Sequence, residues 1–211
     1  MRPRVIVNCA MSPDGKIAGA ERRQLRISSP EDMDRVKRLR AECQAILVGA
    51  GTILADDPHL TVKGLPPDKQ ALRVVLDPRG KIPENASVLD ARARTLVVTL
   101  EDCVRQYPGA ETVRLGKGAL DLKALLEVLG QRGVSVLLVE GGGETIYSFF
   151  RAGLVDVFSV FVGDLIIGGR ESPTPVDGDG FRMGEHVPLR LVSFERLGSG
   201  VHLTYEVRRD D

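Results

Sequence analysis

The chain has 211 residues, of which 43% are hydrophobic, and its 29 basic residues balance its 29 acidic ones. The charges are interleaved, which argues against a surface for nucleic acid or anionic membranes, and no apolar run approaches the roughly 20 residues of a membrane-spanning helix. The length fits one domain, 1–211, because no repeat or low-complexity linker divides it.

Three widely spaced cysteines, Cys9, Cys43 and Cys103, lie mostly in apolar segments, and there is no C-x-x-C motif. Only three histidines accompany them, so no familiar spacing of metal ligands exists and no metal site is predicted. The first apolar run is too short for a secretory signal. Reduced core cysteines therefore indicate a cytoplasmic protein.

Apolar runs predict eight or nine strands and four helices that alternate along most of the chain. The first strand is Arg4–Ala10, and the serine cap and proline of Ser28-Ser29-Pro30-Glu31 then begin a helix. The later predictions are strands at 45–48, 73–76, 95–99 and 111–115, a helix from Asp121 to about 129, and a hairpin of 189–197 and 201–207. This order predicts an α/β fold with a mostly parallel central sheet, helices on both faces and an antiparallel C-terminal hairpin.

Two strands run through glycines into helices. The strand 134–139 ends at Glu140, and Gly141 to Gly143 lead into a helix from Glu144 to about 152. The strand 45–48 leads through Gly49 to Thr52 into a helix that ends at Asp56 and Asp57. Glycines let a ligand approach the backbone, and a helix start offers unpaired N–H groups, so each corner is either a phosphate site or a plain tight turn. Two such corners in one open α/β sheet favour the ligand site.

Several nucleotide and hydrolase motifs are absent from the sequence. It has no P-loop motif, no G-x-G-x-x-G spacing and no G-x-S-x-G elbow. The H-x-E and P-C-x-x-C pair of the zinc deaminases is missing as well. The glycine corners therefore indicate a large anionic ligand held by a protein outside those families.

A set of short motifs along the whole chain resembles the reductase family of riboflavin biosynthesis, and its stand-alone archaeal branch in particular. The motifs are Asn8-x-x-Met11-Ser12-x-Asp14-Gly15-Lys16, Leu39-Arg40-Ala41, Val48-Gly49-x-Gly51-Thr52 with Asp56-Asp57-Pro58-x-Leu60-Thr61-Val62, Glu140 to Gly143, Leu154-Val155-Asp156, Phe161 to Glu171 and Asp177 to Phe181. Their combination is far more specific than any one of them.

The resemblance implies a dihydrofolate-reductase-like fold, a homodimer, and NADPH as cofactor, with NADH as the alternative. It implies reduction of the ribosyl chain of 2,5-diamino-6-ribosylamino-4(3H)-pyrimidinone 5′-phosphate to a ribityl chain. The missing deaminase motif fits a reductase with a single activity. Two other hypotheses stay open. The first is dihydrofolate reductase itself, although the absence of tryptophan argues against it. The second is a non-catalytic nucleotide-binding protein.

The resemblance also assigns residues. It assigns catalytic roles to Asp56 and Glu140, and it implies that Glu140 also contacts the substrate's sugar hydroxyls. The cofactor would be bound by Thr52, Asp56, Pro78, Arg79, Ile82, Gly141, Gly142, Gly143, Glu144 and Thr145, with Arg79 suited to a 2′-phosphate. The substrate would be bound by Gln24, Arg40, Lys63 and Glu140. Adjacent acids near a dry site can raise one pKa, which would suit Asp56 beside Asp57 for proton transfer.

Overall fold

The computed structural model describes residues 1–23 and 25–209, and the chain divides into two compact units. Met1–Arg4 and Arg38–Leu138 form the first unit, and Val5–Lys37 with the chain from Val139 onward forms the second. The sequence prediction that 1–211 form a single domain stays a prediction.

Nine strands and four α-helices alternate through the described residues, as the apolar runs predict. The strands are β1 (Arg4–Met11), β2 (Ala45–Gly49), β3 (Leu72–Leu76), β4 (Thr95–Thr99), β5 (Glu111–Arg114), β6 (Val136–Val139), β7 (Val157–Val162), β8 (Leu189–Leu197) and β9 (Gly200–Val207). The helices are α1 (Pro30–Glu42), α2 (Ala50–Asp56), α3 (Leu122–Gln131) and α4 (Gly143–Arg151), and short 3-10 turns occupy Pro67–Lys69 and Ser87–Leu89.

The first unit is built on parallel strands in the order β5-β4-β3-β2, with β6 next to β2. Every residue of β2 and of β4 is buried, which explains why these strands are continuous apolar runs without alternation. Gly49 at the end of β2 is level with Leu76 at the end of β3. The segments that follow these two strands therefore leave from the same edge.

In the second unit the strand order is β1-β7-β9-β8. The β1–β7 pair is parallel, and β7, β9 and β8 pair antiparallel, so the predicted C-terminal hairpin is confirmed. β8 lies at the edge, is exposed along nearly its whole length, and has a register shift between Leu191 and Ser193. The predicted fold class, α/β with mostly parallel strands and an antiparallel C-terminal hairpin, is confirmed.

The helix caps read from the sequence are present. The Ser29 hydroxyl accepts the N–H of Asp32 at 3.2 Å, and an Asp121 carboxylate oxygen accepts the N–H of Ala124 at 2.9 Å. The boundaries of α2 and α3 differ from the predictions. α2 begins at Ala50, directly after β2, and α3 continues through Gly130, against which the backbone of Met1 packs so closely that a Cβ would lie 2.3 Å from the Met1 carbonyl oxygen.

In the part of the chain that the structure describes, no helix combines the length and the apolar character needed to cross a membrane.

Candidate active site

The first glycine corner is the start of α2. Its N-cap, Gly49, has extended backbone, with φ −84° and ψ 158°. A Cβ added to Gly51 in the first helical turn would meet no atom within 4 Å, so this turn faces open space. Thr52 follows with its side chain half-buried. Because first-turn N–H groups have no partner inside a helix, the corner offers backbone donors in an accessible position.

The two acids at the other end of α2 have different surroundings. Asp57 is the C-cap in left-handed backbone, φ 42°, and its N–H donates to the Ile53 carbonyl at 3.0 Å. Its carboxylate accepts the Ser87 N–H at 2.7 Å and the Ser87 hydroxyl at 2.8 Å, so Asp57 braces the 3-10 turn at Ser87. Asp56 and Asp57 are both exposed. The burial that the acid-pair hypothesis requires is therefore missing, and Asp56 alone remains a candidate for proton transfer.

The two substrate-binding residues predicted in the first unit, Lys63 and Arg40, lie in different structural elements. Lys63 is exposed in a tight turn, and Gln70 holds this turn by accepting the N–H of Val62 and donating to the carbonyls of Val62 and Leu65, each at 2.8 Å. Arg40 is half-buried near the end of α1. Gln24 lies outside the described residues.

The turn after β3 is held from inside by Asp77. This carboxylate is 1% exposed and accepts the N–H groups of Lys81 and Ile82 at 2.8 Å each. The Tyr107 hydroxyl donates to it at 2.6 Å. Burial, and then the adjacent Asp77 carboxylate, raise the pKa of Tyr107, so the phenol stays protonated and keeps donating. Sequence analysis missed this support, although an aspartate before Pro-x-Gly is a turn signal.

Three predicted cofactor residues belong to this turn. Arg79 is exposed at its tip and Pro78 is half-buried, and both lie at the same edge as the start of α2. Ile82 is 0% exposed, so its side chain is part of the core and supports the turn from within. Contact of a cofactor with Pro78 and Arg79 stays a prediction.

The second glycine corner is in the second unit, at the end of β6. Glu140 is half-buried after the strand, and Gly142 has φ 77° and ψ 123°, a conformation that favours glycine. α4 begins at Gly143, one residue before the predicted start, and Gly153, with φ 67°, follows its C-cap as predicted. In the first turn Glu144 is exposed and Thr145 half-buried.

The segment at Thr174 and Asp177 covers one side of this corner. A Cβ on Gly143 would lie 2.5 Å from the Thr174 carbonyl oxygen and 2.6 Å from a carboxylate oxygen of Asp177. The Asp177 N–H donates to the Gly143 carbonyl at 3.2 Å, and its carboxylate accepts the N–H and hydroxyl of Thr174. Asp177 belongs to one of the family motifs in the sequence, but the motif alone does not predict this packing role.

The long loop 170–186 packs along α4 through Tyr147. The Tyr147 hydroxyl donates to the Gly180 carbonyl at 3.0 Å, and its ring lies 5.3 Å from the ring of Phe181. A Cβ on Gly178 would lie 2.2 Å from the Tyr147 ring. These contacts place the loop beside the helix whose first turn is the candidate phosphate site.

The loop after β1 is tied to the loop after β7. Asp14 accepts the N–H groups of Ile167 at 3.2 Å and Gly168 at 2.7 Å, and the Lys16 ammonium donates to the Ser172 carbonyl at 2.8 Å. The Ser12 hydroxyl, followed by these two N–H groups, lowers the pKa of Asp14 to about 2. Asp14 and Lys16 therefore hold the loop after β1 against the loop after β7.

In open α/β sheets ligands bind in crevices at the carboxyl ends of the strands, and both strand–glycine–helix corners of this protein lie at such strand ends. Residues 3–203 match the RibD C-terminal domain, and the chain belongs to this family.

Two of the curated relatives that carry the name 2,5-diamino-6-ribosylamino-4(3H)-pyrimidinone 5′-phosphate reductase match this chain over nearly its whole length at 40% identity or more. The protein of Archaeoglobus fulgidus is 44% identical over 99% of this chain and 100% of its own length. That of Methanothermobacter thermautotrophicus is 40% identical over the same shares. A solved deaminase/reductase from Thermotoga maritima superposes with a TM-score of 0.85 at 27% identity, covering 98% of this chain and 57% of that one.

Proposed function

We propose that this chain reduces 2,5-diamino-6-ribosylamino-4(3H)-pyrimidinone 5′-phosphate, converting its ribosyl chain to a ribityl chain in riboflavin biosynthesis. The observation that carries the proposal is the 44% identity to a reductase of that name, over essentially the full length of both chains. Asp56, Glu140 and both glycine corners lie inside the family match. We place the protein in the cytoplasm, in keeping with its three free cysteines.

The proposed cofactor is NADPH, with NADH as the alternative. The accessible first turn of α2 at Gly51 and the glycine-only backbone at Gly142 fit a site where a diphosphate approaches main-chain N–H groups. In this proposal Thr52 and Asp56 line the nicotinamide side, Pro78 and Arg79 border the adenosine, and 141–145 hold the diphosphate. When bound, the reduced nicotinamide supplies the hydride.

The remaining chemistry is positioning and proton transfer. Over the whole reaction C1′ gains one hydride, the bond between C1′ and the ring oxygen breaks, and that oxygen gains one proton. Asp56, exposed at the end of α2, is the residue to which we assign this proton transfer. Glu140, half-buried at the end of β6, orients the sugar hydroxyls as a hydrogen-bond acceptor.

The substrate's phosphate group must be bound by positively charged side chains. Arg40 offers a guanidinium fork and Lys63 a point charge on the turn that Gln70 braces. Gln24 completes the proposed set of substrate residues.

The proposal is tested by incubating the protein with the ribosylamino-pyrimidinone phosphate and NADPH while following the loss of nicotinamide absorbance. Product analysis should show one ribityl product for each cofactor oxidised. Dihydrofolate, offered in place of the pyrimidine, should give no turnover. Turnover of dihydrofolate alone, or of neither compound, would refute the assignment.

Asp56→Asn should lower kcat by roughly 10²- to 10⁴-fold, because a positioned acid–base group contributes about that much. The cofactor Kd, measured by fluorescence, should change much less than kcat. Asp68→Asn changes an exposed acid of the same unit and serves as the matched control, with kcat unchanged. An Asp56→Asn variant with wild-type kcat would remove Asp56 from the mechanism.

We also propose a homodimer formed through the C-terminal strands. Among the strands that the structure describes, β8 lies at the edge and pairs with β9 alone, and its large apolar side chains are unusually exposed. Their exposures are 37% for Leu189, 49% for Leu191, 50% for Val192 and 73% for Phe194. A second copy that covers this strand would remove that apolar surface from water.

A further inference from the structure

The turn after β3, residues 77–82, is packed against the segment after β4. Both segments leave from the same edge, since the Asp77 N–H donates to the Val98 carbonyl and the Leu100 N–H to the Pro78 carbonyl, at 2.9 and 3.1 Å. Gly80, with φ 68°, lies at a tight contact between them. A Cβ there would lie 3.0 Å from Cβ and Cδ of Arg105, so only a glycine lets the Arg105 side chain cross the turn.

Arg105 is held rigidly in this position. Its Nη1 donates to the Gly80 carbonyl at 3.0 Å, and its guanidinium carbon lies 5.4 Å from the centre of the Tyr107 ring. Arg114 holds the segment from the other side, because its Nε donates to the Cys103 carbonyl at 2.9 Å. The guanidinium is therefore oriented before any ligand arrives.

The positive charge at this turn is not neutralised. Among the described residues, Arg79 and Arg105 each lack a carboxylate within ion-pair distance. The Asp77 carboxylate at the base of the turn is buried and already accepts hydrogen bonds from two backbone N–H groups and from Tyr107. Arg79 on the turn and Arg105 packed against it are two uncompensated guanidinium groups, an arrangement suited to a dianionic phosphomonoester.

We propose that Arg105, together with Arg79, binds the 2′-phosphate of the cofactor's adenosine ribose and so makes the protein select NADPH over NADH. This inference rests on the proposed function and adds a residue to it. Gly80 makes room for the side chain, and Tyr107 and the Gly80 carbonyl fix its direction. Arg105 is thus a specificity-determining residue, not a catalytic one.

The test compares both cofactors in Arg105→Gln. Loss of charge-assisted hydrogen bonds to the 2′-phosphate should raise the KM for NADPH by about 10- to 100-fold. The KM for NADH should stay within about 2-fold, since that cofactor has no 2′-phosphate. If Arg105 only braced the turn, both KM values would rise together, and the inference would be wrong. Arg94→Gln, which removes an exposed arginine at the other end of β4, should change neither value.

A binding measurement separates this inference from the proposed function. Calorimetry with 2′-AMP and 5′-AMP needs no turnover, and we expect wild-type protein to bind 2′-AMP at least 10-fold more tightly and Arg105→Gln to lose that difference. Equal affinities in the wild type would overturn the inference even if the pyrimidine is reduced. Absence of pyrimidine reduction with a retained 2′-AMP preference would refute the proposed function and support this site.

Discussion

At Gly143 the start of α4 packs directly against the 170–186 loop. A side chain here would collide with the Thr174 backbone and the Asp177 carboxylate. The requirement for glycine is therefore one of space, whereas at the neighbouring Gly142 it is one of backbone conformation, φ 77°. The two glycines serve different purposes within one turn.

We predict that Gly143→Ala lowers the free energy of unfolding by roughly 1–3 kcal/mol, because backbone and a carboxylate must move to admit the methyl group. Cofactor affinity should fall in parallel, since the first turn of α4 shifts. Urea denaturation and a fluorescence titration with NADPH measure the two effects.

Gly51→Ala is the matched comparison at the other corner. A Cβ at Gly51 meets nothing within 4 Å and the residue lies inside a helix, so stability should be unchanged or rise by up to about 1 kcal/mol. If α2 binds the cofactor, affinity should still fall. Gly51→Ala with unaltered cofactor affinity would contradict the assignment of the first corner, and a fully stable Gly143→Ala would contradict the packing described for the second.

Single residues also show what the sequence does not reveal. Arg73, the predicted first residue of an apolar strand, is 0% exposed. Its guanidinium donates to Thr95 and Asp90 and to backbone carbonyls around them. These partners are 17 to 22 residues away in the chain, and no local pattern indicates them. The same holds for Tyr107 and Asp77, which are 30 residues apart.

At the scale of elements, apolar runs identify the strands because strands buried on both faces contain almost no polar residues. β4 coincides with its prediction and β1 differs by one residue. The sequence also indicates both ends of α4, since Gly142 before the helix and Gly153 after it have the positive φ that favours glycine. The predicted boundaries of α2 and α3 are wrong because packing decides them. β2 passes directly into α2 at Ala50, and Gly130 stays helical because it packs against the backbone of Met1.

At the scale of elements, we predict that the edge strand β8 forms the dimer interface. Phe194→Glu places a charge on the most exposed apolar residue of the strand and should convert the dimer to a monomer. Sedimentation velocity at about 10 µM would show the mass fall from two chains to one. Met183→Glu alters an even more exposed apolar residue, in the 170–186 loop, and should leave the mass unchanged. A wild-type monomer at this concentration, or a Phe194→Glu dimer, would exclude an interface on β8.

At the scale of the whole molecule, the second unit is crossed by a buried polar network that the proposed reaction does not use. The Ser159 hydroxyl lies 2.9 Å from His202 Nε2, and Glu195 lies 3.3 Å from His202 Nδ1. Arg35 donates to Ser159 and to Asn8 from α1, so the network joins β1, β7, β8, β9 and α1. Such a network specifies one register for the strands, because a shift would leave buried polar groups unpaired.

This network makes folding stability depend on pH through His202. Burial, and then the positive charge of Arg35, lower the pKa of His202 below the ordinary 6.5, although Glu195 and Asp32 oppose the shift. The unfolded chain therefore binds a proton at higher pH than the folded one, and the free energy of unfolding falls as pH decreases from about 7.5 through 6.5 toward the folded pKa. Denaturant midpoints measured at closely spaced pH values should show this decline.

His202→Gln keeps a polar side chain that cannot titrate. The free energy of unfolding of this variant should be lower than that of the wild type at pH 7.5, but it should not change between pH 7.5 and the folded pKa. His186→Gln, in the exposed 170–186 loop, should retain the wild-type slope, and an equally steep slope in His202→Gln would assign the pH dependence to another group.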